Sequence, residues 1–120
     1  MKGKIEYTLI RTFIPSKDHD LSRDFYKDLG FEISWEDKDL VIFGQGRQTF
    51  FLQRYYNKVW AENFMMQAFV NDLEALFNHV KELKKKYKMI RYKNIFEADY
   101  GLTFHLIGPS GELWHMMQSD

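Results

Sequence analysis

The sequence predicts an α+β fold of two tandem βαβββ modules that form a curved mixed sheet. The first half of the chain shows a strand pattern, a helix pattern and three more strand patterns, and the second half repeats this order. The halves are offset by about 56 residues when Ile14 is aligned with Val70. Because a helix interrupts the strands early in each half, the pattern favours an α+β sheet over a doubly wound parallel one. We expect one domain over residues 1–120, with module one at about 5–55 and module two at about 63–118.

Module one begins with an alternating, β-branched and aromatic stretch at residues 6–14, which predicts a strand ended by Pro15. Asp18 or Asp20 is placed to cap a short helix, and Gly30 is placed to end it. Gly- and Asp-containing turns then separate three extended runs, and a polar and aromatic connector follows. The runs are residues 31–35, 40–43 and 48–53, and the connector is residues 54–63.

Module two repeats the pattern with a strand at residues 64–70 and a helix cap at Asn71-Asp72. Apolar side chains then recur at helical spacing as far as Lys86. They are Leu73, Leu76, Phe77, Val80 and Leu83. Extended runs at residues 89–95, 101–107 and 112–118 complete the module, with the last turn at residues 108–111.

The composition excludes several classes of protein. The 120 residues carry 17 Lys and Arg against 17 Asp and Glu, together with 11 Phe, 7 Tyr and 3 Trp. Such aromatic content excludes intrinsic disorder, and a net charge of zero excludes a polybasic nucleic-acid binder. The lack of Cys excludes disulfides, thiol nucleophiles and thiolate metal sites. Since neither a membrane span nor an apolar signal core is visible, we expect a cytoplasmic protein without a nucleic-acid or membrane partner.

One charged block stands out within this balanced composition. Seven of the 17 basic residues lie between Lys81 and Lys93. We interpret the block as a solvated helix end, where Lys also complements the helix dipole. The alternative is a phosphate-binding or nucleic-acid patch, although no stacking aromatics are interleaved in a known motif.

Three phrases lie where the predicted helices and the last hairpin begin or end: residues 25–32 (FYKDLGFE), 69–76 (FVNDLEAL) and 108–115 (GPSGELWH). In this order and spacing they resemble the vicinal oxygen chelate superfamily, which includes glyoxalases, extradiol dioxygenases and bleomycin resistance proteins. The resemblance covers about residues 6–118. It implies the paired βαβββ modules and a cup for a small molecule.

Further phrases are similar to those of the bleomycin resistance proteins in particular. They are residues 14–18 (IPSKD), residues 100–104 (YGLTF) and His115. This resemblance implies a homodimer that completes two cups across a two-fold axis. It also places Trp35 at the aromatic wall of the drug groove.

Metal-dependent members of the superfamily bind their ion through His and Glu side chains in the cup. The resemblance places the corresponding positions at Leu9, at Met65, at Phe50 or Phe51, and at His115. One imidazole beside an aliphatic, a thioether and a phenyl group cannot hold a divalent ion. We therefore expect neither a metal nor another cofactor.

Strand alternation predicts which side chains line the cup. A turn centred on Pro109 and Ser110 pairs Phe104 with His115, and His105 with Trp114. With the ligand-bearing face of the family taken as the cup, the ligand-binding residues are expected to be Arg11, Trp35, Gln67, Phe69, Tyr100, Phe104 and His115. For each aromatic the alternative is a place in the core, and for His115 it is a hydrogen-bonded place in the sheet.

The leading functional hypothesis is a metal-free protein that sequesters a planar, partly aromatic small molecule in a cup at a dimer interface. The first alternative is a glyoxalase- or dioxygenase-like enzyme of the same superfamily, acting on a small oxygen-bearing substrate. The second alternative is an interaction protein whose cup aromatics form the dimer interface alone. No catalytic residue is assigned, because no nucleophile motif is present.

Overall fold

The computed structural model describes residues 3–119 as a mixed fold of strands and helices. The predicted domain also includes Met1, Lys2 and Asp120, which lie outside the described residues. In chain order the elements are β1 (Phe13–Pro15), α1 (His19–Leu29), β2 (Ile33–Glu36), β3 (Leu40–Gln45), β4 (Gln48–Gln53), α2 (Lys58–Asn63), β5 (Met65–Phe69), α3 (Leu73–Lys86), β6 (Arg91–Tyr92), β7 (Phe96–Ala98), β8 (Gly101–Ile107) and β9 (Leu113–Gln118).

The strands form two mixed sheets rather than one, and each sheet takes its strands from one half of the chain. The first sheet has the order β1-β4-β3-β2, and the second has the order β5-β9-β8-β6 with β7 also paired to β8. The parallel pairs are β1 with β4 in the first sheet and β5 with β9 in the second, and all the other strand pairs are antiparallel. The α+β class predicted from the sequence is confirmed.

The predicted helix boundaries are confirmed by their caps. Asp18 Oδ1 accepts a hydrogen bond from Leu21 N at 3.2 Å, and Asp72 Oδ1 accepts one from Ala75 N at 3.0 Å. Both satisfy backbone N–H groups that the first turn of a helix leaves without partners. Gly30 ends α1 with a φ of 118°, a conformation that disfavours a side chain.

The two halves share one hydrophobic core. The first sheet turns one face toward α1 and the second turns one face toward α3, and the buried residues of both sheets belong to a single cluster. Phe25 and Tyr26 of α1 contact Tyr87 and Trp114 of the second half. Because the core uses one face of each sheet, the opposite faces are left for function.

Two segments differ from the predicted elements. The connector contains the short helix α2, which begins where Asn57 Oδ1 accepts a hydrogen bond from Trp60 N at 2.9 Å. The extended run predicted at residues 89–95 is divided, because only Arg91–Tyr92 and then Phe96–Ala98 pair with β8. Among residues 3–119, no helix is long and apolar enough to cross a membrane.

The strand predicted at residues 6–14 is mostly absent, because pairing with β4 begins only at Phe13. Just before it, Phe51 N donates to Thr12 O at 2.9 Å, and Arg11 contacts Thr49. β4 itself begins at Gln48, so the first residues of the chain extend past the end of this strand. We call residues 3–10 the N-terminal arm. Its apolar side chains are largely exposed, with Tyr7 at 82% and Ile10 at 77%.

Candidate functional site

The face of the first sheet that points away from the core is lined by aromatic side chains. Phe13 stacks on Phe51 with ring centres 4.4 Å apart, and the Arg11 guanidinium lies 5.4 Å from the centre of the Phe51 ring. Arg11 Nε also donates to Thr49 Oγ1 at 2.9 Å. Strand pairing adds Ile42 and Trp35 to this side, since Ile42 is opposite both Phe51 and Trp35. We call Arg11, Phe13, Trp35, Ile42, Thr49 and Phe51 the aromatic face.

Trp35 is 48% exposed, so its indole is available to a ligand or to a second protein chain. The register between β2 and β3 shifts between Ile33 and Trp35. Such a bulge redirects side chains locally, and here it puts Trp35 directly opposite Ile42 while Ile33 packs on the core. The structure thus brings two of the predicted residues, Arg11 and Trp35, to one face.

The outward face of the second sheet carries two histidines. His105 and His115 are paired across β8 and β9, with ring centres 4.6 Å apart and planes at 82°. Gln67 pairs with His115 on the other side, and Gln67 Nε2 donates to Met117 Sδ at 3.0 Å. Phe69 and Met65 lie on the same side of β5 and are 55% and 62% exposed. We call Met65, Gln67, Phe69, His105 and His115 the histidine face.

The predicted pairing of Phe104 with His115 is wrong by one residue. Phe104 pairs with Met116, and its side chain is 0% exposed and packs edge-on against Phe77 of α3. Since strand side chains alternate, this shift moves Phe104 to the core and brings His105 to the ligand-accessible side. Trp114 pairs with Leu106 instead of His105, and its side chain is buried against Tyr26 of α1.

Tyr100 lies apart from the other predicted site residues. It occupies the turn between β7 and β8 and is 64% exposed. The aromatic ring that reaches the histidine face from this region is Phe96 of β7, which contacts His105 at 5.5 Å between ring centres. Sequence reasoning missed Phe96 because its strand was not recognised.

The charge environment of the histidines is basic. Burial lowers the pKa of His105 below its ordinary value, and the nearby charges of His115 and Lys93 lower it further. An open cavity of about 770 Å³ adjoins this histidine. Its lining residues are Lys84, Arg91, Tyr92, Lys93, His105, Ile107 and Leu113. This volume is within the usual range for a small-molecule site.

The superfamily's metal positions do not fit an ion in this chain. Leu9 lies in the N-terminal arm and Met65 offers a thioether. In the parallel strand pairs, Phe13 lies opposite Phe51 in the first sheet, and Phe69 lies opposite Met117 in the second. His115 is two residues before Met117, so its equivalent in the first sheet is Thr49, which is two residues before Phe51. This replaces the Phe50 or Phe51 expected from the sequence. Among residues 3–119, no three His, Asp or Glu side chains are grouped as metal ligands.

A buried polar cluster supports the last hairpin beneath the histidine face. Tyr26 Oη donates to Glu112 Oε2 at 2.7 Å and accepts a hydrogen bond from Trp114 Nε1 at 2.9 Å. Glu112 Oε1 accepts a hydrogen bond from Ser110 N at 2.8 Å. Burial raises the pKa of the Glu112 carboxyl, against hydrogen bonds from Tyr26 and the backbone that lower it. The sequence carries no signal for this cluster, because Glu112 and Trp114 lie 86 and 88 residues from Tyr26.

We expect Glu112 to make stability depend on pH. Because its pKa is raised in the folded state, the folded protein binds the proton more tightly than the unfolded chain. The free energy of unfolding should therefore fall as pH rises from the ordinary Glu value of 4.5 to the raised value. Urea denaturation at several pH values should show this slope in the wild type and lose it in Glu112→Gln. The exposed control Glu97→Gln should keep the slope, and equal slopes in all three proteins would contradict the assignment.

The fold with this pair of sheets is the glyoxalase/bleomycin resistance fold. A bleomycin-binding protein from Streptomyces verticillus, solved with copper(II)-bleomycin, is 18% identical with a TM-score of 0.78, over 98% of this chain and 100% of that one. A bleomycin resistance determinant encoded on transposon Tn5 is 21% identical with a TM-score of 0.75, over 92% and 97%.

A lactoylglutathione lyase from Agrobacterium tumefaciens has the same fold at 15% identity and a TM-score of 0.71, over 96% of each chain. No protein-family model matches the chain, and no curated protein sequence is significantly similar to it. The structural likenesses confirm the fold that the resemblance to the vicinal oxygen chelate superfamily predicted, and at these identities they establish the fold alone.

Proposed function

We propose that this protein binds a planar, partly aromatic small molecule in a cup formed where two copies of the chain meet. The observation that carries the proposal is the aromatic face, where Phe13, Phe51 and Trp35 present flat rings beside the Arg11 guanidinium. Apolar walls with a few polar groups are the usual composition of a small-molecule site. Two of the solved proteins with this fold hold bleomycin, which supports binding rather than turnover.

The second copy is argued from surfaces that one chain leaves uncovered. The N-terminal arm has no strand partner among the described residues, although Ile5, Tyr7 and Leu9 alternate with polar residues as in a strand. The exposed side chains of the aromatic and histidine faces add to this apolar surface. Exposed apolar surface of this kind marks an interaction site, and a closed two-fold dimer is the commonest way to bury it.

We further propose that the dimer works in the cytoplasm, with a small molecule rather than nucleic acid or a membrane as its partner. The absence of Cys suits a reducing compartment, and the net charge of zero does not attract a polyanion. Predicted residues Gln67, Phe69 and His115 would contribute to the cup from the second sheet. Tyr100 would contribute only at its rim.

An enzyme of the same fold is the alternative, and the polar pairs in the structure give it less support. Ser16 Oγ donates to Gln53 O at 2.6 Å, so in its 3.0 Å contact with His19 Nδ1 the imidazole is the donor. A nucleophilic serine needs the opposite arrangement, in which the imidazole accepts its proton. At the metal positions, His115 is accompanied only by Leu9, Thr49 and Met65, and no set of three His, Asp or Glu ligands is found among residues 3–119.

Trp35→Ala tests the binding role. We expect binding of phenylnaphthylamine, a neutral aromatic probe, to weaken about tenfold, which corresponds to about 1.4 kcal/mol. Stacking on an indole contributes about 1 kcal/mol of this, and the apolar burial that is lost with the ring contributes the rest. Fluorescence titration measures affinity, and light scattering measures mass. The control Tyr55→Ala removes a similarly exposed ring that packs on Trp60 instead. If Trp35→Ala became monomeric with its affinity unchanged, Trp35 would belong to the dimer interface.

A further inference from the structure

We propose that the ligand carries a negative charge and that the second sheet binds this charge with His105, His115, Arg91 and Lys93. This inference deepens the proposed function and rests on it. It adds a polar end to the cup, with the flat part of the ligand on the aromatic face and the anionic group on the histidine face.

Strand geometry brings the two imidazoles and the two basic side chains together. His105 and His115 face each other across β8 and β9. Arg91 pairs with Ile107, which lies two residues from His105 and therefore on the same side of the sheet. Lys93 N donates to His105 O at 3.2 Å, which continues the pairing beyond β6. His105, Arg91 and Lys93 all line the 770 Å³ cavity.

Within the described residues, no carboxylate lines the cavity or forms an ion pair with Arg91 or Lys93. The cavity lining contains three basic side chains and one imidazole but no acid. Glu97 pairs with Leu102 and so points to the opposite side of the sheet, and Glu112 is buried against Tyr26. None of the ion pairs among residues 3–119 involves Arg91 or Lys93. The third base, Lys84, is already used, since its Nζ donates to the carbonyls of Lys88 and Ile90.

Covering this face favours a ligand that carries negative charge. Arg91 and Lys93 are exposed in a single chain, where water solvates them. When a second copy or a ligand covers the cup, these cations lose water, and burial of an unpaired charge is strongly unfavourable. A carboxylate, sulfonate or phosphate would supply charge-assisted hydrogen bonds in place of water. A cationic ligand would add repulsion instead.

The histidine pair makes the same site sensitive to pH. The groups around His105 are His115 on β9, Arg91 of β6, Lys93 just after β6, Gln67 across β9 and the uncharged ring of Phe96 on β7. Burial, His115 and Lys93 lower the pKa of His105, so it is neutral at pH 7 without a ligand. A bound anion favours the protonated form. Anion affinity should therefore rise as pH falls through the histidine range.

Two fluorescent probes with the same aromatic skeleton test the inference. Anilinonaphthalene sulfonate carries a permanent negative charge, and phenylnaphthylamine lacks it. We expect the full-length protein to bind the sulfonate at least about tenfold more tightly. The double variant Arg91→Met/Lys93→Met should lose most of this preference. The control Lys81→Met/Lys88→Met removes the same charge from exposed positions outside the cavity and should keep it.

The outcomes separate the inference from the proposed function. Equal binding of both probes, or an equal loss of preference in both double variants, would overturn the anion site and leave the aromatic cup standing. Failure of the protein to bind either probe would overturn the cup itself and the inference with it. Sulfonate affinity that rises below about pH 6.5 in the wild type but not in His105→Asn would support the inference, and a rise of the same size in both proteins would overturn the role of His105.

Discussion

If the protein forms the proposed dimer, deleting residues 3–10 should convert it into a folded monomer that no longer binds an aromatic probe. The N-terminal arm contributes nothing to the shared core, so its removal should leave the secondary structure intact. Burying one large apolar side chain contributes about 1.5–3 kcal/mol, and the arm exposes several of them. A loss of several kcal/mol would weaken association by at least about 100-fold. Light scattering at micromolar concentration should then report one chain.

Substitutions within the arm provide the matched control for this deletion. The triple variant Ile5→Ser/Tyr7→Ser/Ile10→Ser removes exposed apolar side chains and should dissociate as the deletion does. Lys4→Ser/Glu6→Ser/Thr8→Ser changes the same number of positions in the same arm and should remain a dimer. A wild-type protein that is monomeric, or an arm deletion that remains dimeric, would contradict the proposed assembly.

The arm also shows why a correct sequence pattern can fail to give a strand. Alternation at residues 6–14 describes side chains suited to a sheet, but a strand also needs a neighbour for its N–H and C=O groups. β4 offers that neighbour only from Gln48 onward, and the arm extends beyond it. The equivalent first strand of the second half, β5, pairs with β9 over its whole length. The pattern could be predicted from the sequence, whereas the partner depends on tertiary and quaternary structure.

The misplacement of Phe104 has a different cause, which is the length of one loop. The sequence suggested a turn centred between Pro109 and Ser110, but Ile107 pairs with Leu113 and leaves residues 108–112 in the loop. Gly111 adopts a φ of 97°, and the Glu112 side chain folds back onto Ser110 N. One additional loop residue shifts the register by one and exchanges the two faces of β8. The faces on which Arg11, Trp35, Gln67, Phe69 and His115 lie do not depend on that loop, and their role in binding stays a prediction.

The features that can be predicted from the sequence therefore depend on residues close together in the chain, whereas those that cannot depend on residues far apart in it. Helix caps, the repeated order of elements and the α+β class depend on neighbouring residues or on repeated patterns, and all three are seen in the structure. The His105–His115 contact and the Tyr26–Glu112 hydrogen bond depend on register and on distant packing. The polar end of the proposed cup could not be predicted from the sequence, because it depends on the register of β8 and β9.

Trp114→Ala should cause a large loss of stability, because Trp114 joins the two halves of the core. Its ring centre lies 5.8 Å from that of Tyr26, 5.5 Å from Phe50 and 5.6 Å from Phe31, all in the first half of the chain. The side chain is 1% exposed, so truncation leaves a cavity and deprives Tyr26 Oη of a donor. We expect the free energy of unfolding to fall by about 3–5 kcal/mol, measured by urea denaturation.

Two companion variants make this prediction decisive. Trp114→Phe keeps an aromatic ring and should lose less than half as much, which keeps the effect measurable if the alanine variant does not fold. Trp35→Ala removes the same side chain from a half-exposed position and should change stability far less. Unfolding should remain a single transition, because both halves contribute to one core. Equal losses for Trp114→Ala and Trp35→Ala, or separate transitions for the two halves in the wild type, would show that Trp114 does not couple them.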